Sequence, residues 1–274
     1  MLKLSKKYPY KRAFITGAAS GLGLALCKAL AADAWVLGMA DLDFDGLQKA
    51  AAEVEALGGQ ALVFELDVAD KEAYREVVSE YLRMVSGIDL LINNAGVGDG
   101  GFFEEYSLEN WEWLLSINLM GVIHGCHLFL PTFKQQGSGC IVNTASAAAI
   151  ACAPQMAAYN TSKAAVVAIS ESLYSELAPL GIAVSVLQPW FFQTNIAQAA
   201  RGGAAIKKTT QKLIDASGLS AEKVADEVLR RVGKGELYVI LPAKARKMWW
   251  LKRLAPTWFR KQMSALAKKV MPAS

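Results

Sequence analysis

Short, continuous apolar runs recur along the chain at Ala13–Thr16, Ala34–Ala40, Ala61–Leu66, Ile88–Asn93, Cys140–Thr144, Ala183–Leu187 and Leu237–Leu241. Strands that are apolar at successive positions have no wet face, which predicts a sheet covered on both sides. The segments between them, Leu22–Ala32 and Lys71–Val85 for example, carry apolar residues at helical spacing. Strand and helix in alternation predict parallel βαβ units with right-handed crossovers. The expectation is one doubly wound α/β domain over residues 1–242, with a mainly parallel sheet of about seven strands. The rhythm fails at Trp190–Gly218, rich in Ala, Gly and Gln. This stretch reads as a mobile excursion, a candidate lid over a substrate, ending at a helix capped by Ser220. A different texture, basic and Trp-rich, starts after residue 242 and predicts a helical extension over 243–274.

Composition narrows the class. Of 274 residues, 53% are hydrophobic and 20% charged, which excludes a disordered or fibrous chain. Cys27, Cys126, Cys140 and Cys152 show no paired or CxxC spacing, so a disulfide framework and a zinc ribbon are not expected and no metal site is assigned. Reduced thiols fit a cytoplasmic setting. The N-terminal MLKLSKKYPYKRAFITG has basic residues but no apolar core and no cleavage site, unlike a secretory signal. No run of roughly 18 residues is apolar and free of charge throughout, so no membrane-spanning helix is expected. Charge divides the chain in two. The net +4 includes nine Lys/Arg and no acid in Ala243–Ser274, leaving 20 basic against 25 acidic residues elsewhere.

Chemistry-bearing residues collect where the predicted strands end. Thr16-Gly17-Ala18-Ala19-Ser20-Gly21-Leu22-Gly23 joins the first strand to the first helix. Glycine permits the turn and the close approach of a phosphate. The helix N-terminus offers unpaired N–H groups and the positive end of a dipole. Asp41 ends the second strand, where a carboxylate can accept from ribose hydroxyls and repel a 2′-phosphate. With Ser20 and Leu42 rather than a cation beside it, NAD is favoured over NADP; a surface Asp capping the next helix is the alternative. Asp67-Val68 and Asn93-Asn94-Ala95-Gly96 end the third and fourth strands, the edge at which open parallel sheets bind ligands.

Tyr159 and Lys163, four apart in a helical pattern, share one helix face. A phenol with a pKa of about 10 is a poor base, and an adjacent ammonium favours its ionised form. Such a pair can exchange a proton with an alcohol or carbonyl near neutral pH. Ser146 lies just past the fifth strand, within reach of the same substrate oxygen.

Taken together, these motifs resemble the short-chain dehydrogenase/reductase family over about Lys11–Leu241. The resemblance rests on Thr16–Gly23, Asn93–Gly96, Asn118, Ser146, Tyr159 and Lys163, in family order and spacing. It implies a Rossmann-type sheet and hydride transfer between nicotinamide and a carbonyl or alcohol carbon. It also implies Tyr159 as general acid/base and Ser146 as the group that polarises the substrate oxygen. Lys163 would hold the nicotinamide ribose and tune Tyr159, and Asn118, inside a helix, would hold a water leading from Lys163 to solvent. Gly17, Ser20, Gly21, Leu22, Gly23, Asp41, Asp67, Val68, Asn94, Ala95, Gly96, Pro189, Phe192 and Thr194 complete the expected cofactor set. The family's Pro-Gly after the sixth strand is Pro189-Trp190 here. A large side chain therefore stands where the backbone passes nicotinamide, so that either the loop shifts or Trp190 turns outward or into the substrate pocket.

The expected pocket walls are Ala147–Ala153 (Ala147 and Ala148 foremost), Phe102, Phe103, Trp190, Phe191 and the excursion, with Arg201, Lys207 and Lys208 as the charged exceptions. An apolar pocket favours a hydrophobic secondary alcohol or ketone. His124 and His127 lack partners at ligand spacing and read as packing or interface residues. Asp89 and Asp99 likewise offer no paired carboxylate. In the tail, Phe259, Met263, Leu266 and Val270 form an apolar helical stripe with Lys261 and Lys268 opposite. Such a helix docks on the acidic body or a partner subunit, or lies on an anionic membrane surface; no reading motif points to nucleic acid. The leading reading is an NAD-linked oxidoreductase that assembles as a homodimer or homotetramer. A membrane-surface lipid or long-chain carbonyl reductase and a non-catalytic NAD(P)-sensing regulator are the alternatives.

Overall fold

The structure, a computed structural model, describes residues 2–193, 201, 211–212 and 214–267. Seven parallel strands form one sheet: β1 (Arg12–Thr16), β2 (Val36–Asp41), β3 (Gln60–Glu65), β4 (Leu90–Asn93), β5 (Gly139–Thr144), β6 (Ile182–Pro189) and β7 (Tyr238–Leu241), in the order β3-β2-β1-β4-β5-β6-β7. All seven lie within two residues of the apolar runs.

Successive residues of the central strands point into two different cores. Ala13 and Ile15 of β1, Leu90 and Ile92 of β4, and Cys140 and Val142 of β5 enter one; Phe14, Leu91 and Ile141 enter the other. Both cores are apolar, which is why each strand reads as an unbroken hydrophobic run. The first is closed by α2 (Gly21–Ala31), α3 (Phe44–Ala56) and, later in the chain, the helix Ala221–Val232, with the short α1 (Lys3–Lys7) at its margin. The second is closed by α4 (Lys71–Val85), α6 (Gly121–Gln136) and α8 (Ala157–Leu177).

Helix α5 (Leu108–Leu115) runs into α6 through a π-helical turn at Ser116–Met120. By length and composition the joined helix 108–136 is apolar enough to cross a membrane. Here Val122, Cys126, Phe129 and Phe133 bury its inner face in the second core. Four residues, Ala148–Ala151, make the short α7 beyond β5. Numbered onward, α9 is Ala221–Val232, α10 is Ala243–Leu254 and α11 is Pro256–Ala267. Ser220 caps α9 by accepting from Lys223 N at 3.4 Å. Thr194, Lys207, Lys208, Lys268 and most of the expected lid lie outside the described residues.

Strand order reverses between β1 and β4, which pair directly. The chain leaves these neighbours in opposite directions, so their C-terminal ends open a crevice.

Candidate active site

A cavity of about 630 Å³ occupies that crevice. Gly17, Ser20, Gly21 and Leu22 line one end with Asp41, Leu42 and Asp43. Ser146, Tyr159 and Lys163 line the other with Trp190 and Phe191.

The glycine turn is held by its neighbours. Gly17 has φ +67, a conformation that L side chains rarely adopt. The Asn94 side chain donates to Thr16 O and Gly17 O at 3.1 and 3.2 Å, and Thr16 Oγ1 accepts from the backbone N–H groups of Asn94 and Ala95. Gly23, expected to face the cofactor, does not line the cavity. A Cβ there would overlap the Gly17 carbonyl oxygen, so its place is to let α2 pack under the turn.

The turn fits a pyrophosphate. Ser20, the N-cap of α2, makes no side-chain cap bond, and the first turn holds no acid. Helices α3, α4 and α5 are instead capped by Asp43, Asp70 and Ser107. The open N–H groups of α2 at the cavity floor suit an anion.

Asp41 is fixed by accepting from Ala19 N at 2.9 Å and Asp43 N at 3.1 Å. Among the described lining residues the charged groups are Asp41, Asp43, Asp67, Asp99 and one cation, Lys163. That balance opposes a further phosphate near Asp41.

At the opposite end, Lys163 is 3% exposed and donates from Nζ to Thr144 O at 3.0 Å. Burial pulls its pKa down to about 8. Tyr159, one helical turn earlier, is buried too. Its pKa is raised, chiefly by burial, and a hydrogen bond with Ser146 opposes the rise. The sequence reading expected the neighbouring ammonium to lower it. In this structure Nζ stands 5.8 Å from the ring centroid, and loss of hydration dominates.

Asn118 lies in the π-helical turn rather than in regular helix, wholly buried. Its side chain brackets Val97, accepting from Val97 N and donating to Val97 O at 2.8 Å, and donates to Ser162 Oγ at 3.3 Å. A Cβ on Gly96 would meet Asn118 Oδ1 at 3.0 Å and Lys163 Nζ at 3.2 Å. A side chain there would press on both groups, so glycine suits the loop after β4 where it passes the ammonium.

Ala147, Ala148, Trp190 and Phe191 line the apolar part of the cavity as expected, as do Val68, Ala95, Pro189 and Phe192. Trp190 meets Phe191 edge to face at 5.6 Å. Its backbone N–H donates to Leu241 O at 2.8 Å, and it packs against the small cluster of Ala147, Ile150, Ile240 and Ala245, which Met248 and Trp249 of the C-terminal segment also cover. The bulky residue is accommodated by a wall that the C-terminal helices complete.

Phe102 is a correction. It does not line the cavity, and Phe103 is 70% exposed. Gly101 N donates to Gln155 O at 2.8 Å, and the loop that follows leaves Phe102 half-buried away from the cavity and Phe103 exposed. Val97, Asp99 and Met156 line the cavity instead, and Ile214 represents the expected excursion there. Met156 sits one turn before Tyr159 and so shares its face, a signal present in the sequence. Asp99 is 3% exposed and accepts from Tyr106 OH at 2.8 Å; its place just past Gly96 was the clue. His124 is a packing residue, bonded to Val68 O at 3.0 Å and stacked edge-on to Tyr74. Asp89 pairs with Arg12 at 3.1 Å. Among the described residues no cluster of His, Cys, Asp or Glu could hold a metal.

Comparison with known proteins agrees with this geometry. The family model described as short chain dehydrogenase matches residues 11–204. A probable oxidoreductase, EphD of Mycobacterium tuberculosis, is 32% identical over 255 residues, 88% of this chain. The chain spans 43% of that relative's length. A short chain dehydrogenase/reductase from Burkholderia phymatum, solved in complex with NAD, superposes with a TM-score of 0.82 at 33% identity, covering 87% of this chain and 91% of that one. An alcohol dehydrogenase from Thermococcus sibiricus, complexed with 5-hydroxy-NADP, superposes with a TM-score of 0.74 at 26% identity, covering 84% and 95%.

Proposed function

The chain belongs to the short chain dehydrogenase family and is a nicotinamide-dependent oxidoreductase; from that premise we propose that it interconverts a hydrophobic secondary alcohol and its ketone, with NAD as the preferred cofactor and Tyr159 as general acid/base. The convergence of Ser146, Tyr159 and Lys163 on one apolar cavity wall carries this reading.

The nicotinamide, when bound, gives or takes the hydride. The chain's own residues handle the proton. In the oxidative direction, the Tyr159 phenolate accepts the substrate hydroxyl proton while Ser146 holds the same oxygen. In the reductive direction, the phenol returns it. Burial weakens Tyr159 as an acid, so the ionised form needs support. Ser146 already provides a hydrogen bond, and Lys163, held against Thr144 O, adds positive charge on the same helix face. Gly96, Asn118 and Val97 fix the wall around that ammonium.

NAD preference follows from charge. Asp41 is held rigidly at the end of β2, and Lys163, the cation among the described lining residues, lies at the opposite end. A 2′-phosphate beside Asp41 would bring like charges together in a partly desolvated site. Substrate preference follows from lining: Ala147, Ala148, Ala151, Ala153, Met156, Trp190, Phe191 and Ile214 offer contact area and no charge.

The test is turnover of alcohols and ketones of graded chain length, followed by NADH absorbance, for wild type and Tyr159→Phe. The expected result is activity that rises with apolar chain length and falls by roughly 10²–10⁴ in the variant. Unchanged turnover in Tyr159→Phe removes the catalytic assignment. NAD binding without turnover of any substrate favours a sensing role.

A further inference from the structure

The two C-terminal helices carry a second feature that the cavity does not explain. Helix α10 docks through Ala245, Met248 and Trp249 beside Trp190 and Ile150, and α11 docks through Phe259. Their cations that bond to the body reach carbonyls and the Tyr238 side chain rather than acids. Lys252 Nζ donates to Ala149 O at 3.2 Å, and Arg260 donates to Ile150 O and Ala151 O at 3.3 and 2.7 Å. These are carbonyls of α7, whose residues Ala148 and Ala151 line the cavity. Arg253 lies over the Trp249 ring at 4.0 Å. No ion pair among the described residues engages either helix. Lys244, Arg246, Lys247 and Lys261 are exposed, and no ion pair among the described residues neutralises them.

The same outer surface is apolar where a soluble helix should be polar. Trp250, Leu251, Leu254 and Trp258 are 53%, 41%, 78% and 50% exposed, all within the stretch 250–258. Lys247, Trp250 and Leu254 fall on one stripe of α10 at spacings of three and four. Large exposed aromatics beside unpaired cations, with no acid anywhere in 243–274, form a surface that is both wettable by hydrocarbon and complementary to anions.

We propose that α10 and α11 form a membrane-docking surface for bilayers containing anionic phospholipid, with Trp250, Leu251, Leu254 and Trp258 entering the interface and Lys244, Arg246, Lys247 and Lys261 facing the headgroups. Docking there sets the apolar cavity close to the bilayer, because the inner faces of the same helices support Trp190 and α7 in the cavity wall. Resting on the reading of the site given above, the substrate class is then an apolar alcohol or ketone dissolved in the membrane.

The experiment uses the full chain and two variants, Trp250→Ala/Trp258→Ala and Lys244→Glu/Lys247→Glu/Lys261→Glu, none of them in the cavity. Co-sedimentation is measured with vesicles of phosphatidylcholine alone and with vesicles of two parts phosphatidylcholine to one part phosphatidylglycerol. The expected result is pelleting with the anionic vesicles, at least about tenfold weaker partition to neutral ones, a loss of about tenfold or more in each variant, and weakening by added salt. No pelleting with anionic vesicles, or pelleting that neither variant reduces, overturns the proposal. So does a wild type that self-associates in sedimentation velocity while the Trp variant does not, since the surface would then serve a second copy. NADH-linked turnover of a water-soluble alcohol without vesicles is measured in parallel and stays unchanged in both variants. Its absence in wild type counts against the catalytic reading, and vesicle binding is decided separately.

Discussion

The buried ammonium of Lys163 makes a quantitative prediction about stability. Burial lowers its pKa from 10.5 to about 8, which corresponds to about 3 kcal/mol lost wherever folded and unfolded chains both hold the proton. Lys163→Met keeps an unbranched apolar stem and removes the charge. The hydrogen bond to Thr144 O goes with it, at about 1 kcal/mol. The variant should therefore gain about 2 kcal/mol at neutral pH, roughly 5 °C in Tm for a chain of this length, while losing turnover. The pH dependence identifies the cause. Below about pH 8 the lysine is charged in both states and the penalty is whole. Between about 8 and 10.5 the folded protein has released the proton and the unfolded chain has kept it, so wild-type stability climbs with pH relative to the variant. The variant's advantage in Tm is widest below about pH 8, vanishes near about pH 10 and reverses above it by the lost hydrogen bond, about 1 kcal/mol. Calorimetry of both proteins without nucleotide, across that range, measures it. A variant no more stable at neutral pH, or an advantage that persists into alkaline solution, refutes the reasoning.

Three more outcomes follow from the same geometry. Because burial raises the Tyr159 pKa and oxidation uses the phenolate, kcat/KM for alcohol oxidation with NAD should rise from about pH 6 to about pH 9; a flat profile in initial-rate measurements speaks against Tyr159 as the base. Asp41→Ala removes the fixed carboxylate at the end of β2 and should narrow the ratio of NADP to NAD dissociation constants by about tenfold, read by calorimetric titration; an unchanged ratio places the preference elsewhere. Gly23→Ala forces a Cβ against the Gly17 carbonyl and should cost at least about 2 kcal/mol in urea unfolding while weakening NAD binding; wild-type values for both would show that the turn yields easily.

What was readable in the sequence divides along a physical line. Strands were readable because a face-alternating strand with two apolar cores leaves a continuous hydrophobic run, as Ala13, Phe14 and Ile15 illustrate by pointing into opposite cores. The turn around Gly17 was readable because backbone angles demand glycine there. Side-chain direction in loops was not. Phe102 has pocket-like chemistry but follows Gly101, whose N–H is tied to Gln155 O, and lies outside the cavity lining. Asp99 has surface-like chemistry yet is buried in the cavity wall. Nothing in the apolar pattern distinguishes these two. Spacing also leaves the Tyr159 ionisation open: four residues along a helix give a shared face with Lys163, but not the balance of hydration loss and ionic attraction. The placing of Lys252 and Arg260 on the carbonyls of α7 joins positions more than a hundred residues apart, beyond any local signal.

Several departures from good folding chemistry lie at the cavity. Helix α2 begins without the cap that α3, α4, α5 and α9 possess. The backbone next to Asn118 is wound as a π-turn. An ammonium is buried in a cavity whose other charged lining groups, among the described residues, are all acids. Each of these weakens the fold or leaves a group under-satisfied, and such features persist where something other than stability selects them. An anion at the open N-terminus of α2 answers the first, and hydroxyl donors answer Asp41. Both belong to a dinucleotide, so nucleotide binding should stabilise the folded chain in proportion to RT ln(1 + [L]/Kd). The Lys163 penalty is different in kind: no ion pair among the described residues engages it, and in the proposed mechanism its charge supports ionisation of the phenol. Stability is therefore given up at the very residue on which the proposed proton transfer relies, which is why a single substitution there is expected to raise Tm and abolish turnover together.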